Sequence, residues 1–249
     1  EMCIRDSPRV IVCVPSGIME VEKRAVRDSA LHAGSREVHL IAEPIAAAIG
    51  ADLPIDLACG NMIMDIGGGT SEIAVISLSH IVVHNSIRVG GDKIDTDIIN
   101  YLRKKSNLYV GVQTAEKIKI AIGSAYPLKQ ELTMDVRGRD IVSGYPVTVK
   151  ITSEEIREAI SETVVTIIDA IKRLFERTAP ELSADIAERG IFLTGGGALL
   201  KGLDEKIRKT VDLPVHIVPD ALECVVKGAG KVLDDIDRYR QVLIKRIED

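Results

Sequence analysis

The sequence predicts an α/β fold, with a mixed sheet flanked by helices, and two observations carry that prediction. Along residues 9–50, short apolar runs alternate with helical segments in the order strand, helix, strand, helix. Such an alternation is typical of parallel strands covered by helices. Along residues 63–76, Asp65 and three glycines separate two apolar runs, which predicts a strand, a tight turn and a second strand.

Composition excludes several classes of protein. The chain has 249 residues, 46% hydrophobic and 28% charged, which suits a globular protein with room for two domains. A net charge of −5 and the lack of any basic run argue against nucleic acid as a partner. No apolar stretch reaches the length of a membrane-spanning helix and no signal peptide opens the chain, so we expect an intracellular protein. The four cysteines have no metal-binding spacing and are expected to be reduced.

The elements of the first third follow from apolar runs and the residues that punctuate them. Pro44 suits the first position of a helix, and Gly34 and Gly50 suit helix ends. Residues 1–7 fit no element and are set aside as an unassigned leader. We predict strands over residues 10–14, 38–41, 81–83 and 86–89, helices over 20–33 and 45–49, and a linker over 52–60.

Capping signals mark the remaining helices. Thr114 is placed to cap one helix, and Thr152 with Glu155 forms a capping box for a long helix that continues to Pro180. We further predict a helix that starts near residue 91, a hairpin of residues 133–136 with 147–151, strands over 191–193 and 215–218, and helices over 198–211, 221–233 and 234–249, the last on the surface.

The glycine turn after Asp65 is the first candidate binding site. A turn built from Gly67, Gly68 and Gly69 offers backbone N–H groups with no side chains in the way, a concavity that accepts phosphate oxygens. Thr70 and Ser71 add hydroxyls at its rim, and Asp65 could hold Mg²⁺ directly or through water. A hairpin with a glycine-rich bend and a surface aspartate fits the same residues.

Three further features are candidates. Glu43 stands at the carboxyl end of a predicted strand, where it could orient a water molecule, although a helix dipole alone would also favour a glutamate there. Glu116 and Lys119 lie on one side of a helix, and a surface ion pair would explain them equally. Gly195, Gly196 and Gly197 form a second turn before a predicted helix, whose amides would face an anion or a nucleotide.

The two glycine turns resemble the nucleotide-binding core that actin, the DnaK-type chaperones and the sugar kinases share. Four segments are similar to the MreB family of bacterial actins, which shape rod cells. They are AEPIAAAIG at residues 42–50, DIGGGTSEIAVIS at 65–77, IGSAYP at 122–127 and ERGIFLTGGGALL at 188–200. The resemblance runs from about Arg9 to about Leu233 and implies an actin-like ATPase fold with ribonuclease-H-like subdomains.

The resemblance also implies roles for the candidate residues, with ATP and Mg²⁺ as cofactors. Residues 65–71 become a phosphate loop with Asp65 near the metal, and Glu43 the residue that positions the attacking water. Gly195, Gly196 and Gly197 become the adenosine loop, with Glu116 and Lys119 beside the nucleoside. It further implies filaments of identical subunits, attachment to the inner membrane from the cytoplasm, and partners among cell-wall elongation proteins.

The chain departs from the family pattern at its start and at one site residue. The family's opening hairpin with its first phosphate loop is absent, so we expect an N-terminally truncated chain that hydrolyses ATP poorly or not at all. Ala42 stands where the family commonly has a second glutamate, which alters the surroundings of Glu43. A metabolic kinase and a nucleotide-binding scaffold without turnover are the alternatives on the same fold.

The resemblance also predicts a division into domains. We expect residues 8–59 and 234–249 to belong to a first domain with an incomplete first subdomain. Residues 60–92 and 160–233 are expected to form the nucleotide-binding core of a second domain, and residues 93–159 its small subdomain.

Overall fold

The structure, a computed structural model, describes residues 7–244. Its strands are β1 (Arg9–Val14), β2 (Glu37–Ala42), β3 (Asn61–Ile66), β4 (Ser71–Ser77), β5 (His80–Ile87), β6 (Leu108–Tyr109), β7 (Thr133–Asp140), β8 (Pro146–Thr152), β9 (Ile191–Thr194) and β10 (Val215–Ile217). Its α-helices are α1 (Glu20–His32), α2 (Glu43–Gly50), α3 (Gly91–Ser106), α4 (Val112–Ile122), α5 (Ser153–Ala159), α6 (Ser161–Phe175), α7 (Pro180–Arg189), α8 (Leu203–Val211) and α9 (Cys224–Asp234).

A mixed five-stranded sheet is the centre of the fold, in the order β10-β9-β3-β4-β5. β3 pairs antiparallel with β4 and parallel with β9, so the hairpin around the first glycine turn joins a parallel half to an antiparallel half. Every residue of β4 is buried, since helices cover both faces of this part of the sheet. The predicted mixed sheet flanked by helices is therefore confirmed.

Two smaller sheets accompany it. β1 and β2 pair in parallel, and β6, β7 and β8 form an antiparallel sheet. The predicted capping box is present: Thr152 Oγ1 accepts the Glu155 amide at 3.3 Å, and Glu155 accepts the Thr152 amide at 2.9 Å. The division into domains and subdomains stays a prediction.

Helices α2 and α9 pack with unusually close backbones. A Cβ atom at Gly228 would lie 1.8 Å from the Ala46 carbonyl oxygen, and one at Gly50 would lie 2.0 Å from that of Cys224. Lys231 donates to the carbonyls of Ile49 and Gly50 at the end of α2. The contact joins the helix that begins at Glu43 to the segment that closes one side of the cleft described below.

The structure corrects several predicted elements. The strands predicted at residues 81–83 and 86–89 are one strand, β5, because the polar pair His84 and Asn85 continues the ladder with β4. The long helix predicted to reach Pro180 is divided at Ile160 into α5 and α6, and α7 follows as a separate helix. Its periodicity continues through the break because the apolar residues before and after Ile160 enter the same core.

Three helix predictions also need correction. α4 begins at Val112 after an extended Gly111, so Thr114 lies inside the helix and does not cap it. Residues 198–211 are not one helix: a 3₁₀ turn over Gly196–Leu199 precedes α8, because Gly202 takes a left-handed φ of 70° between them. In the predicted surface helix 234–249, Asp234 ends α9, and turns, a 3₁₀ turn over Arg240–Val242 and an antiparallel bridge of Leu243 to Ile41 follow it. Val242 there is buried. Its residues 245–249, like residues 1–6 of the leader, lie outside the described part of the chain.

Candidate nucleotide-binding site

A cleft of about 550 Å³ opens at the carboxyl ends of β3 and β9. It brings together most of the residues singled out from the sequence, whereas Glu43, Gly69, Thr70 and Ser71 are not part of its lining. The lining consists of Asp65, Gly67, Gly68, Gly91, Asp92, Ile94, Glu116, Lys119, Ile120, Gly195, Gly196, Gly197, Leu199, Leu200, Leu222 and Val225.

Backbone hydrogen bonds within the turn and to the start of α3 hold the first glycine turn in place. The Gly67 amide donates to the Thr70 carbonyl at 2.9 Å, and the carbonyls of Gly67 and Gly68 accept the amides of Gly91 and Asp92 at the start of α3. Within residues 7–244 the amides of Gly68 and Gly69 have no acceptor, so both are free for an anion.

The second glycine turn packs directly against Asp65. A Cβ atom at Gly195 would lie 2.3 Å from Asp65 Oδ1 and 2.5 Å from the Ile66 carbonyl oxygen, and the φ of Gly195 is 83°. Only glycine fits such a position, since a side chain would clash and the left-handed region is strained for other residues. Both turns therefore reach the same cleft, one on each side of Asp65.

Three carboxylates interact at the cleft: Asp65 in its lining, and Glu72 and Glu43 outside the lining. Asp65 on β3 lies directly opposite Glu72 on β4, and Glu72 is 2% exposed. Burial, then the charge of Glu72, raises the pKa of Asp65 to about 6. The pKa of Glu43 is raised to about 7, most strongly by burial, next by the charge of Glu72 and then by that of Asp65. Glu43, the first residue of α2, is thus electrostatically coupled to the site although it does not line the cleft.

Glu72 is a candidate site residue that the sequence analysis missed. Its Oε2 accepts the amide of Ser16 at 3.1 Å and the hydroxyl of Ser16 at 2.9 Å, while its Oε1 is buried without a hydrogen-bond partner in the described residues. The available signal was a carboxylate next to the apolar run Ile73 to Ile76 of a predicted strand, because buried charges need partners.

Among residues 7–244, no set of three or more His, Cys, Asp or Glu side chains is arranged to hold a metal ion. Asp65 nevertheless fits Mg²⁺ shared with a ligand's phosphates. Carboxylate oxygens are what this ion prefers, and a cation there would offset the repulsion that Glu72 exerts on Asp65.

Glu116 and Lys119 both line the cleft but do not pair with each other. The Lys119 ammonium donates to Asp95 Oδ2 at 2.9 Å and to the Gly91 carbonyl at 3.2 Å. The surface ion pair considered from the sequence is thus replaced by a pair between α4 and α3.

The rim residues of the first turn differ in their surroundings. The Ser71 hydroxyl donates to the Val89 carbonyl at 2.6 Å, so it ties the turn to the chain entering α3. Contacts of Thr70, Ser71 and Gly69 with phosphate stay predictions.

The opposite side of the cleft is apolar and was also missed. Ile120, Leu199 and Leu222 line it with exposures of 67%, 57% and 71%, beside Val225. Three separate segments supply these residues, and no pattern within any one segment indicates that they meet.

The free thiols of the described chain are Cys13, Cys59 and Cys224. The pKa of Cys13 is raised to about 11, most strongly by burial and further by the charges of Glu43 and Asp65, so this thiol is protonated at neutral pH.

No helix in residues 7–244 is long and apolar enough to cross a bilayer.

A family model, two curated relatives and a solved structure all relate this chain to the same group of proteins. The family model described as MreB/Mbl protein matches residues 2–241. The cell shape-determining protein MreB of Escherichia coli (strain K12) is 50% identical over 236 residues, which are 95% of this chain and 68% of that protein. The cell shape-determining protein Mbl of Bacillus subtilis (strain 168) is 45% identical over 231 residues, 93% of this chain and 69% of that protein. The crystal structure of Spiroplasma citri MreB5 bound to ADP superposes with a TM-score of 0.91 at 39% identity, covering 95% of this chain and 72% of that one.

Proposed function

This chain belongs to the MreB/Mbl family of cell shape-determining, actin-like proteins. We therefore propose that it binds ATP with Mg²⁺ in the cleft and assembles with copies of itself into filaments. The observation that carries the proposal is the meeting of two glycine turns at Asp65, where the Gly195 backbone approaches too closely for any side chain. An MreB5 structure bound to ADP supports a nucleotide as the ligand.

The cleft favours one orientation of the nucleotide. Phosphates fit the free amide of Gly68, which lines the cleft, because backbone N–H groups are suited to anions. The base fits the apolar side formed by Ile120, Leu199 and Leu222. The sugar then lies between these ends, over Glu116 and Lys119.

Glu43 is proposed to position the attacking water. The ionised carboxylate accepts a hydrogen bond from water more strongly than the neutral acid and can take up its proton, and a pKa of about 7 leaves Glu43 divided between both forms at neutral pH. Asp65 would hold Mg²⁺, which when bound would neutralise phosphate charge and reduce the repulsion by Asp65 that, after burial and Glu72, contributes to the raised pKa of Glu43.

Self-association, membrane attachment and a role in directing cell-wall synthesis are proposed on family membership alone. The relatives named above are cell shape-determining proteins. Subunits that stack head to tail present unlike surfaces to one another, which generates open filaments.

The test is nucleotide binding and assembly by the chain and two matched glycine variants. We expect saturable binding of a fluorescent ATP analogue that is stronger with Mg²⁺ and competed by unlabelled ATP. Gly195→Ala should abolish binding, because its Cβ would meet Asp65. Gly144→Ala should retain it, since this glycine also has a positive φ, 78°, but a Cβ there meets nothing within 4 Å.

Assembly is followed by electron microscopy and sedimentation with Mg-ATP. A parent chain that binds no ATP would overturn the proposal, and equal binding by both glycine variants would show that the site is misplaced. Phosphate release separates an ATPase from the scaffold alternative, which binds ATP without hydrolysing it.

A further inference from the structure

Asp95 lies on α3 just beneath the cleft and has no assigned role. It is 3% exposed, and its Oδ2 accepts a hydrogen bond from the Lys119 ammonium group at 2.9 Å. Its other oxygen, Oδ1, is buried without a hydrogen-bond partner in the described residues.

The contacts of Lys119 leave one of its donors for a ligand. An ammonium group has three N–H bonds. One points to Asp95 and one to the Gly91 carbonyl, and the side chain lines the cleft. With two donors held inside the protein, the direction of the third is set before any ligand arrives, which lowers the entropy lost on binding.

Stability alone does not account for the pair. Burial raises the pKa of Asp95 even though the hydrogen bond and charge of Lys119 oppose the shift. An unpartnered buried oxygen is unfavourable, and apolar residues of similar size often replace buried ion pairs without loss of stability. A role in the adjoining cleft explains why a carboxylate stands there.

The surrounding charge indicates which part of a ligand Lys119 meets. Asp92 and Glu116 line the cleft and are close enough to Asp95 to raise its pKa. Asp95 neutralises Lys119, and the two further acids make this part of the floor negative. A phosphate is disfavoured there, whereas a neutral hydroxyl group can accept from the ammonium and donate to a carboxylate.

We propose that Asp95 is a positioning residue that holds the Lys119 ammonium toward the sugar hydroxyls of a bound nucleotide, so that the cleft distinguishes ribose from a sugar lacking those hydroxyls. The proposal rests on the proposed function for its ligand, and its first test is independent of nucleotide.

The first test measures acetylation of lysines in the chain without nucleotide, by mass spectrometry. Lys119 of the parent should react about tenfold more slowly than Lys117, which is exposed on the same helix, because a hydrogen bond to a charged partner is worth at least a factor of ten. Asp95→Asn should remove most of this protection.

Asp97→Asn is the matched control. Asp97 is on the same helix and pairs with Lys93 and Thr163, away from the cleft lining. This variant should leave the Lys119 rate unchanged. Unaltered protection of Lys119 in Asp95→Asn, or equal loss in both variants, would overturn the positioning role.

The second test compares ATP with 2′,3′-dideoxy-ATP. The parent and Asp97→Asn should prefer ATP about tenfold, and Asp95→Asn should bind both about equally, as should Lys119→Met. The double variant Asp95→Asn/Lys119→Met should lose no more discrimination than either single one, because both act through one contact.

The outcomes are distinguishable from failure of the proposed function. A parent that binds neither nucleotide overturns the proposed function and the sugar contact together, while the acetylation rates still decide whether Asp95 holds Lys119. A parent that binds ATP, with its discrimination intact in Asp95→Asn, overturns the inference alone.

Discussion

Replacing glycine by alanine at two positions of α9 should change the free energy of unfolding in opposite directions. Gly228→Ala and Gly230→Ala both place a methyl group in the interior of one helix, two residues apart. At Gly230 nothing lies within 4 Å of the new Cβ atom. At Gly228 that atom would lie 1.8 Å from the Ala46 carbonyl oxygen and 2.8 Å from the Gly50 amide nitrogen.

The expected magnitudes follow from these distances. Alanine in place of a helical glycine stabilises by about 0.5–1 kcal/mol, which Gly230→Ala should show in full. Gly228→Ala makes the same gain, but a normal contact requires α2 and α9 to separate by roughly 1.5 Å. Overpacking in a well-packed core costs about 1–3 kcal/mol, and backbone atoms yield less easily than side chains, so a net loss of about 2 kcal/mol is expected.

The measurement is urea unfolding followed by circular dichroism, with thermal unfolding as a second probe. The two variants should differ by about 3 kcal/mol, which for a chain of this size is about 6–12 °C in Tm. Gly228→Ala should also weaken ATP binding, because α9 carries Val225 into the cleft.

One result would refute this reasoning. If Gly228→Ala is as stable as Gly230→Ala, the two helices do not approach as closely as the structure shows. The close contact that joins α2 to the α9 side of the cleft would then have no basis.

The remaining predictions concern the carboxylates of Glu43, Asp65 and Glu72. In a chain that also carries the family's first phosphate loop, Glu43→Ala should slow single-turnover ATP hydrolysis at least about 100-fold while ATP affinity stays within about twofold, since the side chain acts on the transition state; unchanged hydrolysis would remove it from the mechanism. Without that substitution, hydrolysis by the same chain should rise with pH, with a midpoint at or below the pKa of about 7 that Glu43 has without metal, because the ionised form is required. Asp65→Asn should reduce the Mg²⁺ dependence of ATP binding in titrations with and without the metal, and an identical response would make Asp65 structural. Because the folded state raises the pKa of Glu43 and Asp65, stability from these groups is lost as pH rises from about 4 to about 7. Glu72→Gln keeps an acceptor for Ser16 and removes a charge, so it should stabilise the chain by about 1–3 kcal/mol more at pH 8 than at pH 5 in urea unfolding; an equal effect at both pH values would contradict the electrostatic coupling.

Local patterns in the sequence were sufficient for much of the fold. The glycine turn between β3 and β4, the helix with Pro44 in its first turn and the capping box of Thr152 were predicted where the structure has them. Each is set by residues within a few positions of one another, through φ preferences, missing donors or a side chain that reaches its own backbone. The clustering of both glycine turns at one cleft followed from family resemblance, not from these local rules.

Tertiary structure alone decided which side chains meet. Lys119 pairs with Asp95 rather than with its helical neighbour Glu116, and Glu72 faces Asp65 while it binds Ser16, 56 positions away along the chain. The break at Ile160 is invisible to periodicity because the flanking apolar residues enter one core. Periodicity reports which face of a segment is buried, but the partner on that face depends on how distant segments pack, and that information is not local to either segment.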